Sequence, residues 1–130
     1  MVSGIGIDII DINRIRKIIK KYGWKFKKRC FHESEIITSE KRLKSVESYA
    51  KRYSAKEAFA KAIGTGLAKG VFWKDIEIKN NLDGKPYIIL HNNAKKYMKN
   101  KFKNKQSIEL SLTDEKFYAL ASVIISDEIN

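Results

Sequence analysis

Two acids and a lysine offer the clearest chemistry in this chain. Asp8 lies in Gly4-Ile5-Gly6-Ile7-Asp8-Ile9-Ile10, an acid in an otherwise isoleucine-rich stretch. Buried there without a partner it would cost free energy, so something should compensate it. The bland alternative is an Asp8 at a strand end, facing water or capping the next helix, and Asp11 fits the capping role still better. Glu57 lies in Arg52-Tyr53-Ser54-Ala55-Lys56-Glu57-Ala58-Phe59-Ala60-Lys61-Ala62. Glu57 and Lys61 share one helical face, and a solvated pair at that spacing contributes about 0.2–0.5 kcal/mol to a helix. If Glu57 instead points with Asp8 into one pocket, the two carboxylates repel unless a cation sits between them. Magnesium suits that pair because it prefers hard oxygen ligands, keeps several waters, and is held by one or two carboxylates plus substrate phosphates. Arg52, Lys56 and Lys61 would then balance the remaining phosphate charge. Spacing alone does not bring Asp8 beside Glu57.

Elements to hold these residues follow from the apolar periodicity. Gly4 to Ile10 alternates as a strand, with Ile5, Ile7 and Ile9 on one face and Gly6, Asp8 and Ile10 on the other. Ile12, Ile15, Ile18, Ile19 and Tyr22 recur at helical spacing between an N-cap at Asp11 and a stop at Gly23. A short helix is expected over Glu33 to Glu40, opened by His32 or Ser34. Val46, Tyr49, Ala50, Tyr53, Phe59, Ala60 and Ile63 predict a long alanine-rich helix from Lys44 to Ile63, ended by Gly64-Thr65-Gly66. Asp75 to Lys79 reads as a strand, Asn81-Leu82-Asp83-Gly84 as a hairpin turn, and Tyr87 to Leu90 as the returning strand behind Pro86. Asn92 to Phe102 is a basic helix with Ala94, Tyr97 and Met98 inward. Two last strands, Ser107 to Leu112 and Phe117 to Ile125, flank Thr113-Asp114-Glu115-Lys116. The order β α α α β β α β β predicts an α+β fold, a mainly antiparallel sheet packed against the long central helix.

Size and composition set the outer bounds. At 130 residues, with no repeat, low-complexity tract or linker, residues 1–130 are expected to form a single domain that is compact or shares a core with copies of itself. Hydrophobic residues make up 43% and charged ones 32%, with one proline, which excludes disordered and collagen-like chains. No apolar run approaches the roughly 20 residues that span a bilayer. Met1-Val2-Ser3-Gly4 lacks a basic region followed by an apolar signal core, so a soluble cytoplasmic protein with no membrane partner is expected. Cys30 stands alone, and two histidines with one cysteine argue against a structural zinc site. With 27 Lys+Arg against 15 Asp+Glu, the net charge of +12 points to an anionic partner. Arg14 to Arg29 holds nine basic residues and no acid. Lys95 to Lys105 holds six more, which a lysine-biased genome explains equally well.

Four ordered blocks carry a family resemblance. They are Gly4-Ile5-Gly6-Ile7-Asp8-Ile9-Ile10-Asp11-Ile12 before a basic helix; Arg52-Tyr53-Ser54-Ala55-Lys56-Glu57-Ala58 with Lys61 and Gly64-Thr65-Gly66; Asp83-Gly84-Lys85-Pro86; and Ser111-Leu112-Thr113-Asp114 followed by Tyr118-Ala119. In order and spacing the chain resembles the holo-[acyl-carrier-protein] synthases, a 4′-phosphopantetheinyl transferase family, over nearly its whole length. The resemblance implies transfer of the 4′-phosphopantetheine arm of coenzyme A to a serine of apo acyl carrier protein. The reaction would depend on Mg2+, release adenosine 3′,5′-bisphosphate and serve fatty acid biosynthesis. By position, Asp8 and Glu57 match the family's two magnesium-ligand acids and Lys61 its pocket lysine. Arg52, Lys56, Lys61, Gly64, Thr65 and Gly66 match the stretch that lines the coenzyme site. Asp114 stands where some members have histidine and others aspartate. Lys17, Lys20 and Lys21 stand where relatives often carry arginine, which keeps charge but loses bidentate geometry.

The implied chemistry accounts for these residue types. Serine attack on the β-phosphate builds charge that a metal, lysine and arginine stabilise. Glu57, or a magnesium-bound water it orients, is the candidate proton acceptor, with Lys61 the second candidate catalytic residue. Acyl carrier proteins are acidic, so Arg14, Lys17, Lys20, Lys21, Lys25 and Lys28 would form the docking face. The family is also trimeric, with sites formed between neighbouring subunits, so a homotrimer is expected. A basic nucleic-acid-binding domain is the alternative from another class, served by the charge and by Tyr22, Trp24, Phe26 and Phe31. Its zinc-finger and RNA-recognition fingerprints are missing. A magnesium enzyme for another phosphate lacks its Walker-type or dinucleotide glycine loop.

Overall fold

The computed structural model describes residues 1–64 and 73–129. Along the chain these are β1 (Val2–Asp11), α1 (Ile12–Tyr22), α2 (Trp24–Cys30), α3 (Glu33–Glu40) and α4 (Ser45–Ile63); then, after a 3-10 turn at Trp73–Asp75, β2 (Ile76–Asn80), β3 (Pro86–Leu90), α5 (Asn92–Lys101), β4 (Gln106–Asp114) and β5 (Tyr118–Asp127). The element ends obey local rules. Asp11 caps α1 by accepting from the Asn13 amide at 2.8 Å, and Gly23, at φ 54°, ends it. His32 opens α3, its ring accepting from the Ser34 amide at 3.2 Å while the Glu35 carboxylate takes the His32 amide at 2.8 Å. Gly64, at φ 81°, closes α4 in the left-handed region.

Two findings modify the expected fold. α2 is an additional helix: Gly23 breaks the basic run in two, and Phe26 and Cys30, four residues apart, turn inward within it. The strands form two sheets, a three-stranded one in the order β1-β5-β4 and the separate β2-β3 hairpin, with every pairing antiparallel.

α4 packs across the three-stranded sheet, and its alanines let it come close. Ala55, Ala58, Phe59, Ala62 and Ile63 meet Ile76, Ile78, Met98, Leu110, Ala121, Val123 and Ile125 in one core cluster. Tyr49 and Ala50 join Ile10, Ile12, Ile15, Phe31 and Ala119 in another. The inward face of β1 is the glycine-and-acid one. Gly6 and Ile10 are buried and Asp8 half-buried, whereas Ile5, Ile7 and Ile9 are 66, 58 and 61% exposed. Glycine is needed there because a Cβ at Gly6 would overlap the Ala58 carbonyl oxygen and lie 2.8 Å from the Ala62 amide nitrogen. A Cβ at Gly4 would overlap the Ala62 carbonyl oxygen. Strand and helix thus touch backbone to backbone, which sets Asp8 against the middle of α4.

Candidate active site

Alternation on β1 aims Asp8 at the helix, and helical spacing stacks Ser54, Glu57 and Lys61 along the facing side of α4. Ser54 donates from Oγ toward the Asp8 main-chain oxygen and Oδ2, each at 3.0 Å. Lys61 Nζ donates to Asp8 Oδ1 at 3.2 Å and to the Ile7 carbonyl at 3.1 Å. Asp8, whose side chain is 14% exposed, is therefore oriented on both oxygens. Glu57 Oε1 accepts from Trp73 Nε1 at 3.2 Å. Asp8 and Glu57 line one cavity of about 230 Å³ together with Arg14 and Tyr53. Tyr53 stacks on Trp73 with ring centroids 5.9 Å apart. Burial, with the Glu57 charge adding to it, pushes the Tyr53 hydroxyl up to about 12, so it remains protonated.

Arg52 and Lys56, expected beside these residues, are not brought to this cavity. They stand four apart on another side of α4, about 140° (Arg52) and about 100° (Lys56) round the axis from Glu57 at 3.6 residues per turn. Arg52 is 2% exposed and donates to Ser48 Oγ at 2.8 Å and Asn80 Oδ1 at 3.1 Å. Lys56 is fully buried, paired with Glu35 at 2.6 Å and donating to the carbonyls of Trp73 at 2.8 Å and Ile76 at 2.6 Å. All three of its hydrogens are used inside the protein. Desolvation presses the Lys56 pKa down and that of Glu35 up, against their mutual attraction. Gly64 is exposed, and Thr65 and Gly66 lie outside the described residues.

Of the basic run, Arg14 forms part of the cavity wall, while Lys17, Lys20, Lys21, Lys25 and Lys28 are exposed on α1 and α2. Lys25 also borders a larger apolar cavity of about 550 Å³ lined by Tyr22, Phe26, Tyr53 and Trp73. The two cavities share Tyr53. Asp114 ends β4 and pairs with Lys51 at 3.2 Å. Sequence reasoning missed Ser54, Tyr53 and Trp73. The spacings Tyr53–Glu57 and Ser54–Lys61 fit one helical face and could have signalled the first two. Nothing local ties Trp73 to Glu57.

Comparison with known proteins agrees with this architecture. The family model described as 4′-phosphopantetheinyl transferase superfamily matches residues 4–121. The chain is 45% identical over 132 residues to a holo-[acyl-carrier-protein] synthase of Ehrlichia chaffeensis, covering 99% of this chain and 100% of the relative. The crystal structure of the holo-[acyl-carrier-protein] synthase from Neisseria meningitidis superposes with a TM-score of 0.90 at 35% identity, covering 98% of this chain and 100% of that one. The Helicobacter pylori holo-[acyl-carrier-protein] synthase in complex with coenzyme A superposes with a TM-score of 0.82 at 32% identity, covering 94% and 99%.

Proposed function

The chain belongs to the 4′-phosphopantetheinyl transferase superfamily, and from that premise we propose that it transfers the 4′-phosphopantetheine group of coenzyme A to a serine of apo acyl carrier protein, releasing adenosine 3′,5′-bisphosphate, for fatty acid biosynthesis. The observation that carries this reading is the cavity where Asp8 and Glu57 meet beside Arg14. Its donor set fits Mg2+: both acids offer hard oxygens with lone pairs beyond the hydrogen bonds they already accept. When bound by Asp8 and Glu57, Mg2+ would supply Lewis-acid relief of charge building on the pyrophosphate oxygens.

The remaining work falls to the chain's own side chains. The serine oxygen attacks the β-phosphorus, the bond to the bridging oxygen breaks, and Glu57 accepts the serine proton. Lys61 holds Asp8 in aim and keeps one ammonium hydrogen for a phosphate oxygen. Gly64, Thr65 and Gly66 line the coenzyme, and Arg14 with Lys17, Lys20, Lys21, Lys25 and Lys28 receives the acidic carrier protein. Residues 1–130 act as one domain, since α4 contributes to both core clusters. The exposed Ile5, Ile7 and Ile9, beside Ile124 on the same sheet face, suit a homotrimer interface. The cytoplasm is the proposed location, and no helix of the described residues is long and apolar enough to cross a membrane.

The test is incubation of apo acyl carrier protein with coenzyme A, with and without Mg2+, read by intact mass. The expected result is a gain of one phosphopantetheine arm, with metal only. Asp8→Ala and Glu57→Ala should each lose at least about 100-fold in rate, the lower range for a positioned acid–base group, with unchanged circular dichroism. Transfer without metal, or undiminished in either variant, overturns the assignment.

A further inference from the structure

The chain has two histidines, and they meet on one acid. His32 sits at the start of α3, Glu77 on β2, and His91 in the turn from β3 to α5. His91 Nε2 lies 2.8 Å from Glu77 Oε1 and His32 Nδ1 lies 3.2 Å from Glu77 Oε2. The rings stack with centroids 5.0 Å apart and planes 14° from parallel. One ligand atom from each of the three residues falls within 4.8 Å of the others. Among the described residues it is the one His, Cys, Asp and Glu cluster of three or more that meets this spacing.

The acid is fixed and the rings are open. The Glu77 side chain is 5% exposed and the two imidazoles 36 and 35%. Ser34 Oγ donates to Glu77 Oε2, on the oxygen that faces His32. Burial opposes the Glu77 charge, but hydrogen bonds from Ser34 and His91, with the His32 ring beside them, outweigh it and hold the carboxyl below its ordinary range. The turn carrying His91 is tied down as well. The His91 amide donates to the Asp75 carbonyl at 2.8 Å, and Asn92, at φ 46°, donates to Asp75 Oδ1 at 3.2 Å.

We propose that His32, Glu77 and His91 form a site for a borderline divalent transition ion of the Zn2+ or Co2+ kind, separate from the Asp8–Glu57 cavity. Two imidazole nitrogens and one carboxylate are zinc-type ligands, whereas Mg2+ selects all-oxygen, octahedral surroundings. Tetrahedral zinc with bonds of about 2.0–2.1 Å keeps its ligand atoms about 3.4 Å apart, and the three ligand atoms here already lie within 4.8 Å of one another. Small rotations of the half-exposed rings complete the set. Three protein ligands leave the fourth position to water on the open side. Loading takes the His32 lone pair that now accepts from the Ser34 amide and displaces the proton that His91 Nε2 shares with Glu77, to its own Nδ1 or to solvent, while the bond from the His32 amide to Glu35 still holds the start of α3. The ion ties together α3, β2 and the β3–α5 turn and binds the folded chain in preference to the unfolded one, so it raises the melting temperature.

This proposal stands whether or not the transferase reading does. Metal-stripped full-length protein titrated with Co2+ should develop a visible d–d band that saturates at one equivalent. The band should survive millimolar Mg2+ and persist in Asp8→Ala and Glu57→Ala. It should vanish in His91→Ala and in His32→Ala, each with a fold left intact by circular dichroism. Zn2+ should raise the melting temperature of the wild-type chain and leave that of His91→Ala unmoved. A band that is missing, that survives His91→Ala, or that Asp8→Ala or Mg2+ abolishes overturns the site.

Discussion

Asp8 and Glu57 are held by different means, and the difference shows what could be read from residues alone. Asp8 is gripped on both oxygens by Ser54 and Lys61, partners that lie on one face of one helix. Glu57 takes its hydrogen bond from Trp73, beyond a stretch with no apolar period to place it. An acid in an isoleucine strand, and a Glu-Lys pair four apart, were legible because each is anomalous or periodic in itself. Arg52 and Lys56 were legible as charges but not as buried ones, since only the fold reveals Glu35 and Asn80 beneath them. Buried side chains also give this scale its prediction. Burial pushes the Cys30 thiol up from 9.0 to about 11 and, with Glu57, the Tyr53 hydroxyl from 10.0 to about 12. Both are acids that ionise first in the unfolded chain, so stability is complete below about pH 9 and falls as pH rises toward about 12. Urea melts at about pH 10.5 should show a loss of roughly 2 kcal/mol relative to pH 8. The buried Lys56, pressed down, titrates in the opposite sense, so the check is Cys30→Ala: a fall between about pH 8 and about pH 10.5 as steep in that variant as in the wild-type chain would refute the burial of the thiol.

At the scale of elements, the backbone contact between β1 and α4 decides where the site forms. Gly6→Ala must part the strand from the helix, because its Cβ meets main-chain atoms that cannot rotate away. The expected cost is about 1–3 kcal/mol, the range for overpacked cores. Transfer should fall by more than stability implies, since Asp8 stands two residues along the displaced strand; urea denaturation and kcat together measure both. Full activity in Gly6→Ala would mean that the contact does not aim Asp8. Most elements were legible because their caps and periods agree, as with Asp11 before α1 and Gly64 after α4. α2 was not, because its seven residues have no side-chain cap and share one lysine run with α1. The division into two sheets was equally hidden, for strand pairing is settled by long-range contacts that no local pattern records.

Over the whole molecule, the net charge of +12 and the uncovered isoleucine face are the two features with reach. Reversing charge at Lys17 and Lys21 should raise KM for carrier protein at least about tenfold while leaving KM for coenzyme A in place, because exposed charges govern encounter. Equal changes in both would move docking elsewhere. Ile7, 58% exposed at the centre of β1, tests the other feature. Sedimentation should give a trimer for the wild-type chain and a smaller species for Ile7→Lys; an unchanged species would exclude this face from assembly. The charge excess was legible from composition, whereas the outward turn of the isoleucines was not, because alternation names two faces without saying which one a helix will cover. Lys56 and Glu57 are neighbours on α4, the first locked to Glu35 inside the protein and the second facing the cavity. A genetic screen for lost transfer should therefore score Glu35 as though it were an active-site acid, and only a thermal melt would unmask it as scaffolding.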